Sequence, residues 1–242
     1  MAPEHTVATA LDNGNGRPVA ADDGGNEESR AARAYRALEE QIVTLRLAPG
    51  AAITENRLAA LLEMGRTPIR EAFIQLESAG LIRRLPRKGA VLFKPTLEEF
   101  LGILEVHAKL EGQAAGLAAR RMSAPQAIEL EAAVAACEDH ARSLGDGEPD
   151  RYYQLNLKFH EIVAESAGNP FLLEMIKTNA RKLMAYYRAR YRYPGAIASS
   201  AADHREIAAL IARHRGPEAE ALMTRHVQFD QVTVMDLLAA LG

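Results

Sequence analysis

A single cysteine, Cys137, stands in this chain of 242 residues. Its isolation excludes an internal disulfide and any cysteine-built metal centre. It lies among alanines on an expected helix, where a buried and inert thiol is the natural reading. Long apolar runs are also missing. Nothing approaches the roughly 18 to 20 residues that a bilayer-spanning helix needs, so no membrane association is expected. The N-terminus has no basic start leading into an apolar stretch, and no secretory signal is read there. There is no repeat of fixed period, no nucleophile motif and no phosphate-binding glycine loop. Together these absences favour a cytoplasmic protein that is not an enzyme. What is present, 48% hydrophobic and 25% charged residues, is ordinary for a soluble globular chain of one or two domains.

The net charge of -3 conceals an uneven distribution. Residues 1–30 carry six acids against Arg17 and Arg30, in a Gly-, Asn-, Asp- and Ala-rich stretch without periodicity that is expected to be a disordered tail. Residues 31–95 carry eleven Lys or Arg against six Glu. Such a basic segment in an acidic chain points to a polyanionic partner, although chance clustering of surface charge would look the same.

From Ala31 the pattern becomes helical. Ala34, Leu38, Ile42 and Leu45 recur at helical spacing until Pro49-Gly50 stops them. A second helix is expected after Thr54, a good N-cap, with Leu58, Ala59, Leu61 and Leu62. A third runs from Gly65–Pro68 to Gly80, with Ile69, Ala72, Phe73 and Leu76 on its apolar face. Beyond Gly80 the period shortens: residues 81–85, the turn Pro86-Arg87-Lys88-Gly89 and residues 90–93 read as a hairpin. Three helices and a hairpin over 31–95 form a winged helix-turn-helix. From 96 to 242 the reading is all α, a bundle of about six helices over 97–121, 124–144, 151–167, 170–192, 198–214 and 217–240. Capping boxes at Thr96 and Ser123 open the first two.

Two groups of residues carry chemistry. If the third helix buries Ile69 and its companions, its opposite face shows Arg66, Thr67 and Arg70, with Gln75 beyond. Arginine forks onto guanine O6 and N7, and threonine bonds phosphate or touches a thymine methyl. Arg87, Lys88 and Gly89 form a basic wing tip suited to phosphate. In the bundle, Asn156 and His160 lie four apart and share a face, while His204 and His226 sit on two later helices. A bundle can bring such residues to one interior point, where neutral imidazoles and one oxygen suit a divalent first-row metal. An isolated helical histidine is, by itself, more often a surface or hydrogen-bonded core residue.

The run Ala48-Pro49-Gly50, Thr54-Glu55, Leu58-Ala59, RTPIREA over 66–72, Gly80-Leu81-Ile82 and Gly89 resembles the winged-helix domain of GntR-family regulators. The helical remainder resembles the FCD effector domain of the FadR-type subfamily. The resemblance implies a homodimeric transcription regulator, expected to be a repressor, on a palindromic double-stranded operator. It implies that Arg66 and Arg70 read bases, with Thr67 and the wing in support. Three positions depart from the family: Gly65 replaces a Ser or Thr cap, Glu63 stands at a turn position usually glycine, and Asn56 replaces a frequent DNA-contacting Arg.

Phe159-His160, the SAGNP run over 166–170, the DHREI run over 203–207 and Arg225-His226 resemble the metal-binding version of that domain. There an acid and three histidines hold a divalent metal, zinc, nickel or manganese being the expected choices, and a small organic acid completes its shell. Here Asn156 replaces the acid. His107 stands where many relatives place an effector-facing Arg, so effector contact and simple packing are both open to it. Arg181 could pair with a carboxylate or lie at the surface. The ring-and-cation run 186–193 is either pocket wall or a contact with the DNA-binding part, and His140 and His214 are expected in solvent. Two other readings stand beside this one. In the first, the histidines bind effector without metal. In the second, three histidines with an open position activate water in an enzyme, although no general base stands beside them; Glu161 and Glu165 occupy an ordinary charged face.

Overall fold

The apolar stripes read above become the buried faces of short helices. The computed structural model describes residues 29–43, 46–86, 89–229, 233, 234 and 236. Helix α1 spans Arg30–Val43, β1 Ala52–Ile53, α2 Glu55–Leu61, α3 Arg66–Ser78, β2 Ile82–Leu85 and β3 Gly89–Leu92. Of the expected tail over residues 1–30, residues 1–28 lie outside the described residues and α1 already begins at Arg30; Leu45, the wing-tip pair Arg87 and Lys88, and most of the chain beyond Phe229 also lie outside them.

Helix α3 is the centre of the N-terminal core. Ile69, Ala72, Phe73 and Leu76 are buried against Ala34 and Leu38 of α1, Leu58 of α2 and the inward residues of the sheet. Thr54 caps α2, its hydroxyl accepting from the Arg57 N–H at 3.2 Å. Glu63, in the turn between α2 and α3, has φ +51°, which explains why glycine is the easier residue there. The sheet has one strand more than the expected hairpin. Ala52 and Ile53 pair antiparallel with Val91 and Ala90, giving the order β1-β3-β2. Two residues are too few to show a periodicity, and β1 was invisible for that reason.

The bundle comprises α4 (Leu97–Arg121), α5 (Ala124–Leu144), α6 (Pro149–Ser166), α7 (Pro170–Arg190), α8 (Ala196–Ala212) and α9 (Gly216–Val227). Both expected capping boxes are present, at Thr96 with Glu99 and at Ser123 with Gln126. Helix α4 runs through the middle, contacting α6, α7, α8 and α9. Its Gly112 and Gly116 bring it close to α9: a Cβ on Gly112 would stand 2.1 Å from Thr224 Oγ1 and 2.9 Å from the Glu220 carbonyl.

Several bundle helix ends lie one or two residues from expectation, and the start of α6 and the end of α9 differ for reasons the structure shows. Helix α6 begins at Pro149 behind Glu148, and Asp150 is spent on Arg188 of α7, with Arg188 Nε donating to Asp150 Oδ1 at 2.5 Å. Helix α9 does not run through to residue 240; it stops at Val227, with Gln228 extended. The cause lies on α7. Arg190 Nη1 donates to the His226 carbonyl at 3.1 Å and the Tyr187 hydroxyl to the Val227 carbonyl at 3.1 Å. Carbonyls that would have continued the i to i+4 ladder are satisfied by side chains instead. Among the described residues, no helix is long and apolar enough to cross a membrane.

Candidate DNA-reading face and histidine cluster

Arg66 opens α3, and Arg66, Thr67 and Arg70 are all exposed while Ile69, Ala72 and Phe73 are buried behind them. Asn56, in the first turn of α2, is exposed as well. Gly65 provides no side-chain cap, so the first N–H groups of α3 face outward without an intramolecular hydroxyl partner. Of the wing residues, Gly89 is described, and it has a packing reason to be glycine: φ is +86° and a Cβ would lie 2.3 Å from the Ile53 carbonyl. Arg84, on the wing's first strand, is held by Glu77 at 2.8 Å.

Three helices supply the histidines. His160 comes from α6, His204 from α8 and His226 from the last turn of α9, and one ring nitrogen of each lies within 4.8 Å of the others. His204 Nε2 and His226 Nε2 are 3.1 Å apart. Two imidazole nitrogens bound to one tetrahedral zinc at about 2.0 to 2.1 Å would be separated by about 3.3 Å, so the spacing fits a shared cation. The His204 ring is stacked on Phe159, centroids 3.9 Å apart, and its Nδ1 is buried without a partner. His226 Nδ1 lies 3.0 Å from Asp203 Oδ2, and His160 Nδ1 lies 3.2 Å from Glu111 Oε2.

The electrostatics keep His204 and His226 neutral. Burial lowers the His226 pKa to about 4, with the Asp203 hydrogen bond only partly opposing it and His160 adding to the fall. Burial and the neighbouring imidazoles push His204 well below its ordinary value, and burial lowers His107. For Glu111, burial favours protonation, but His160, by charge and hydrogen bond, and then His107 outweigh it and leave the carboxyl below its usual range. Neutral imidazoles with available lone pairs beside an ionised carboxylate are a cation-binding donor set.

A cavity of about 50 Å³ adjoins the cluster, lined by His107, Glu111, Asn156, His160, Arg190 and His226 among others. Asn156 is buried in its wall, with Oδ1 accepting from the Tyr191 hydroxyl at 2.8 Å. His107 is also brought here, its Nε2 3.6 Å from Glu111 Oε1. Arg181 is not: it lies on the outer side of α7, Nε donating to Glu39 of α1 at 3.1 Å, and the cation lining the cavity is Arg190. The 186–193 run is therefore divided, with Tyr187, Arg190 and Tyr191 in the cavity wall and Tyr186 in the core against Phe100. His140 is buried rather than solvated, Nε2 bonded to the Gly147 carbonyl at 2.9 Å; His214 is exposed but holds the Ala119 carbonyl through Nδ1. Cys137 is buried, and its thiol is pushed up to about 12 mainly by desolvation.

Sequence reading missed Glu111 and Asp203. Glu111 falls four residues after His107 on one helix face, a spacing that could have marked it; Asp203 precedes His204, and adjacency gives no sign that it serves His226 instead.

A winged helix with two arginines displayed on its third helix, joined to a helical bundle that gathers three histidines, two buried and one partly buried, defines a DNA-binding transcription regulator. Residues 102–229 match the FCD domain, and residues 30–92 match the bacterial regulatory proteins of the gntR family. The chain belongs to the GntR family of DNA-binding transcription regulators, in the subfamily with a C-terminal FCD domain; these are regulators, not enzymes. It is 23% identical over 194 residues to the HTH-type transcriptional repressor RspR of Escherichia coli, covering 80% of this chain and 84% of that protein. It is 29% identical over 160 residues to the gluconate operon transcriptional repressor of Bacillus licheniformis, covering 64% of this chain and 63% of that one. The solved structure of Escherichia coli McbR/YncC superposes with a TM-score of 0.74 at 18% identity, covering 88% of this chain and 99% of that chain, which shows a common fold.

Proposed function

We propose that this regulator is a repressor, that it binds a two-fold-related operator as a homodimer, and that a small organic acid engaging a divalent metal in the bundle releases it. The observation that carries the reading is the convergence of His160, His204 and His226 beside a cavity walled by Asn156 and Arg190. Those three rings, with the Asn156 amide oxygen, are the residues that would hold zinc, nickel or manganese. When bound, the metal supplies a positive charge and open coordination positions for a carboxylate. Arg190 adds a guanidinium at the cavity wall, and His107 a neutral ring. The small volume favours a short acid, because a large one would have to open the bundle.

At the other end, Arg66 and Arg70 enter the major groove from α3 with Thr67 on phosphate, and Asn56 approaches from α2. Arg87, Lys88 and Gly89 complete the DNA contact as a wing on this reading. Two identical heads on a symmetric dimer require a palindromic site. Phe171 and Met175, four apart on α7 and exposed by 82% and 52%, are large apolar side chains that a second copy would cover.

Two measurements test the reading. Operator recovered by selection from random duplexes should be bound less tightly by Arg70→Ala, by about 1 to 3 kcal/mol if that side chain reads a guanine; undiminished specific binding removes Arg70 from the reading head. Carboxylic acids screened by thermal shift should raise the melting temperature only when zinc, nickel or manganese is present. Stabilisation without metal would assign the histidines to direct effector binding, and no stabilisation by any acid would sink the effector reading.

A further inference from the structure

We infer that Glu111 and Asp203 are positioning residues of the metal site: they set the tautomers of His160 and His226 and supply the negative charge that Asn156, standing in place of an acid, does not. The inference rests on the metal-sensing reading above and concerns residues outside its ligand set.

The geometry is specific. Each carboxylate reaches the Nδ1 of one histidine, Glu111 Oε2 to His160 at 3.2 Å and Asp203 Oδ2 to His226 at 3.0 Å. A carboxylate accepts only, so each bond is made when the ring carries its proton on Nδ1 and leaves the Nε2 lone pair bare. A carboxylate behind a ligating imidazole in this way fixes its orientation and raises its basicity. The 3.1 Å contact between the two Nε2 atoms of His226 and His204 agrees. With His226 Nε2 bare, the proton of that bond belongs to His204 Nε2. Its Nδ1 is then a lone pair rather than an N–H, in keeping with that atom's burial without any partner. An unpaired buried acceptor is a milder defect than an unpaired donor.

Charge points the same way. The donors facing the cation position, three imidazoles and an amide, carry no negative charge of their own. Glu111 is almost fully buried, and its other oxygen faces His107, 3.6 Å from Nε2. A buried carboxylate whose partners are two imidazoles is stabilised further by positive charge nearby. A divalent cation on the other ring nitrogen of His160 would supply that charge, and Glu111 with Asp203 would balance the cation's two positive charges.

The test uses the full chain and zinc alone, with affinity read by chelator competition. Glu111→Gln and Asp203→Asn keep the shape and an acceptor oxygen while removing charge, and each should weaken zinc binding about 10- to 100-fold. Asn156→Asp added to Glu111→Gln should recover at least about tenfold of that loss. Long-range nitrogen–proton NMR on the metal-free parent should find His160 and His226 protonated on Nδ1, a readout needing no variant and no metal. Variants that bind zinc within about twofold of the parent, no recovery in the double variant, or Nε2 protons on both rings would each overturn the inference. A parent chain that takes up no zinc defeats the metal-sensing reading itself, while the ring protons still decide whether the carboxylates set the tautomers.

Discussion

Each histidine of the cluster is shaped by what lies behind it. His226 is buried, and its pKa falls from near the ordinary 6.5 to about 4 chiefly because burial penalises the cation. The folded state therefore disfavours a proton that the unfolded chain accepts readily. Between pH 6.5 and 4 the unfolded state binds more protons, so stability rises with pH across that window. The contribution is complete above 6.5 and is lost as the solution is acidified toward 4. Metal-free protein should accordingly show a melting temperature that drops between pH 7 and pH 5, before most carboxylates titrate. A flat or rising melting temperature over that interval would contradict the neutral, buried ring. The three histidines were legible in the sequence because their helices could be counted and one spacing, Asn156 to His160, put two side chains on a shared face. Glu111 was not, because its partner lies 49 positions away and a lone Glu on a helix ordinarily faces water. Arg181 was left open between a carboxylate partner and the surface for a related reason: sequence shows that a residue is on a helix but not which of two neighbours that helix face meets.

At the level of elements, what could be read was what repeats. Helices of 13 residues or more announced themselves by their apolar stripe, and the capping boxes fixed where α4 and α5 begin. The short strand β1 and the early stop of α9 depend on partners far along the chain, and no local pattern encodes them. The α4–α9 packing is a third case. Gly112 is a poor helix former, and its use in mid-helix is explained by the 2.1 Å and 2.9 Å separations its absent Cβ would have from Thr224 Oγ1 and the Glu220 carbonyl. Thr224 can rotate, but the backbone carbonyl of α9 cannot leave without moving the helix that bears His226. Gly112→Ala should cost about 1 to 3 kcal/mol of stability, as overpacking does, and should also weaken zinc binding by displacing His226. Loss of stability with unchanged zinc affinity would mean that α9 slides without turning its last residues. A variant as stable as the parent would show that the two helices have slack the geometry denies.

Across the whole molecule, the proposed effector would have to act on α3 from the bundle. Helix α7 is the element with a hand on both parts. Its Tyr187, Arg190 and Tyr191 wall the inner cavity, while Arg181 bonds Glu39 of α1, which also accepts from the Tyr35 hydroxyl at 3.4 Å. The adjacent Lys182 lies against Gly80 at the end of α3. A cleft of about 950 Å³ opens between α1 and helices α6 and α7, and Tyr153, Leu157, His160 and Ala180 line both it and the inner cavity. Arg181 and Glu39 are each partly exposed, so their pair is worth at most about 1 kcal/mol to folding. Its value is positional: it ties the helix that walls the cavity to the helix that packs on the reading head. Coupling requires the ligand to favour one arrangement of that joint over another. Glu39→Gln should therefore leave zinc affinity unchanged and bring the ratio of operator dissociation constants, with and without saturating zinc, closer to one than in the parent. A ratio as large as the parent's would show that the signal travels by another route, and a parent ratio of one would show that zinc alone biases neither arrangement, leaving the organic acid to do so.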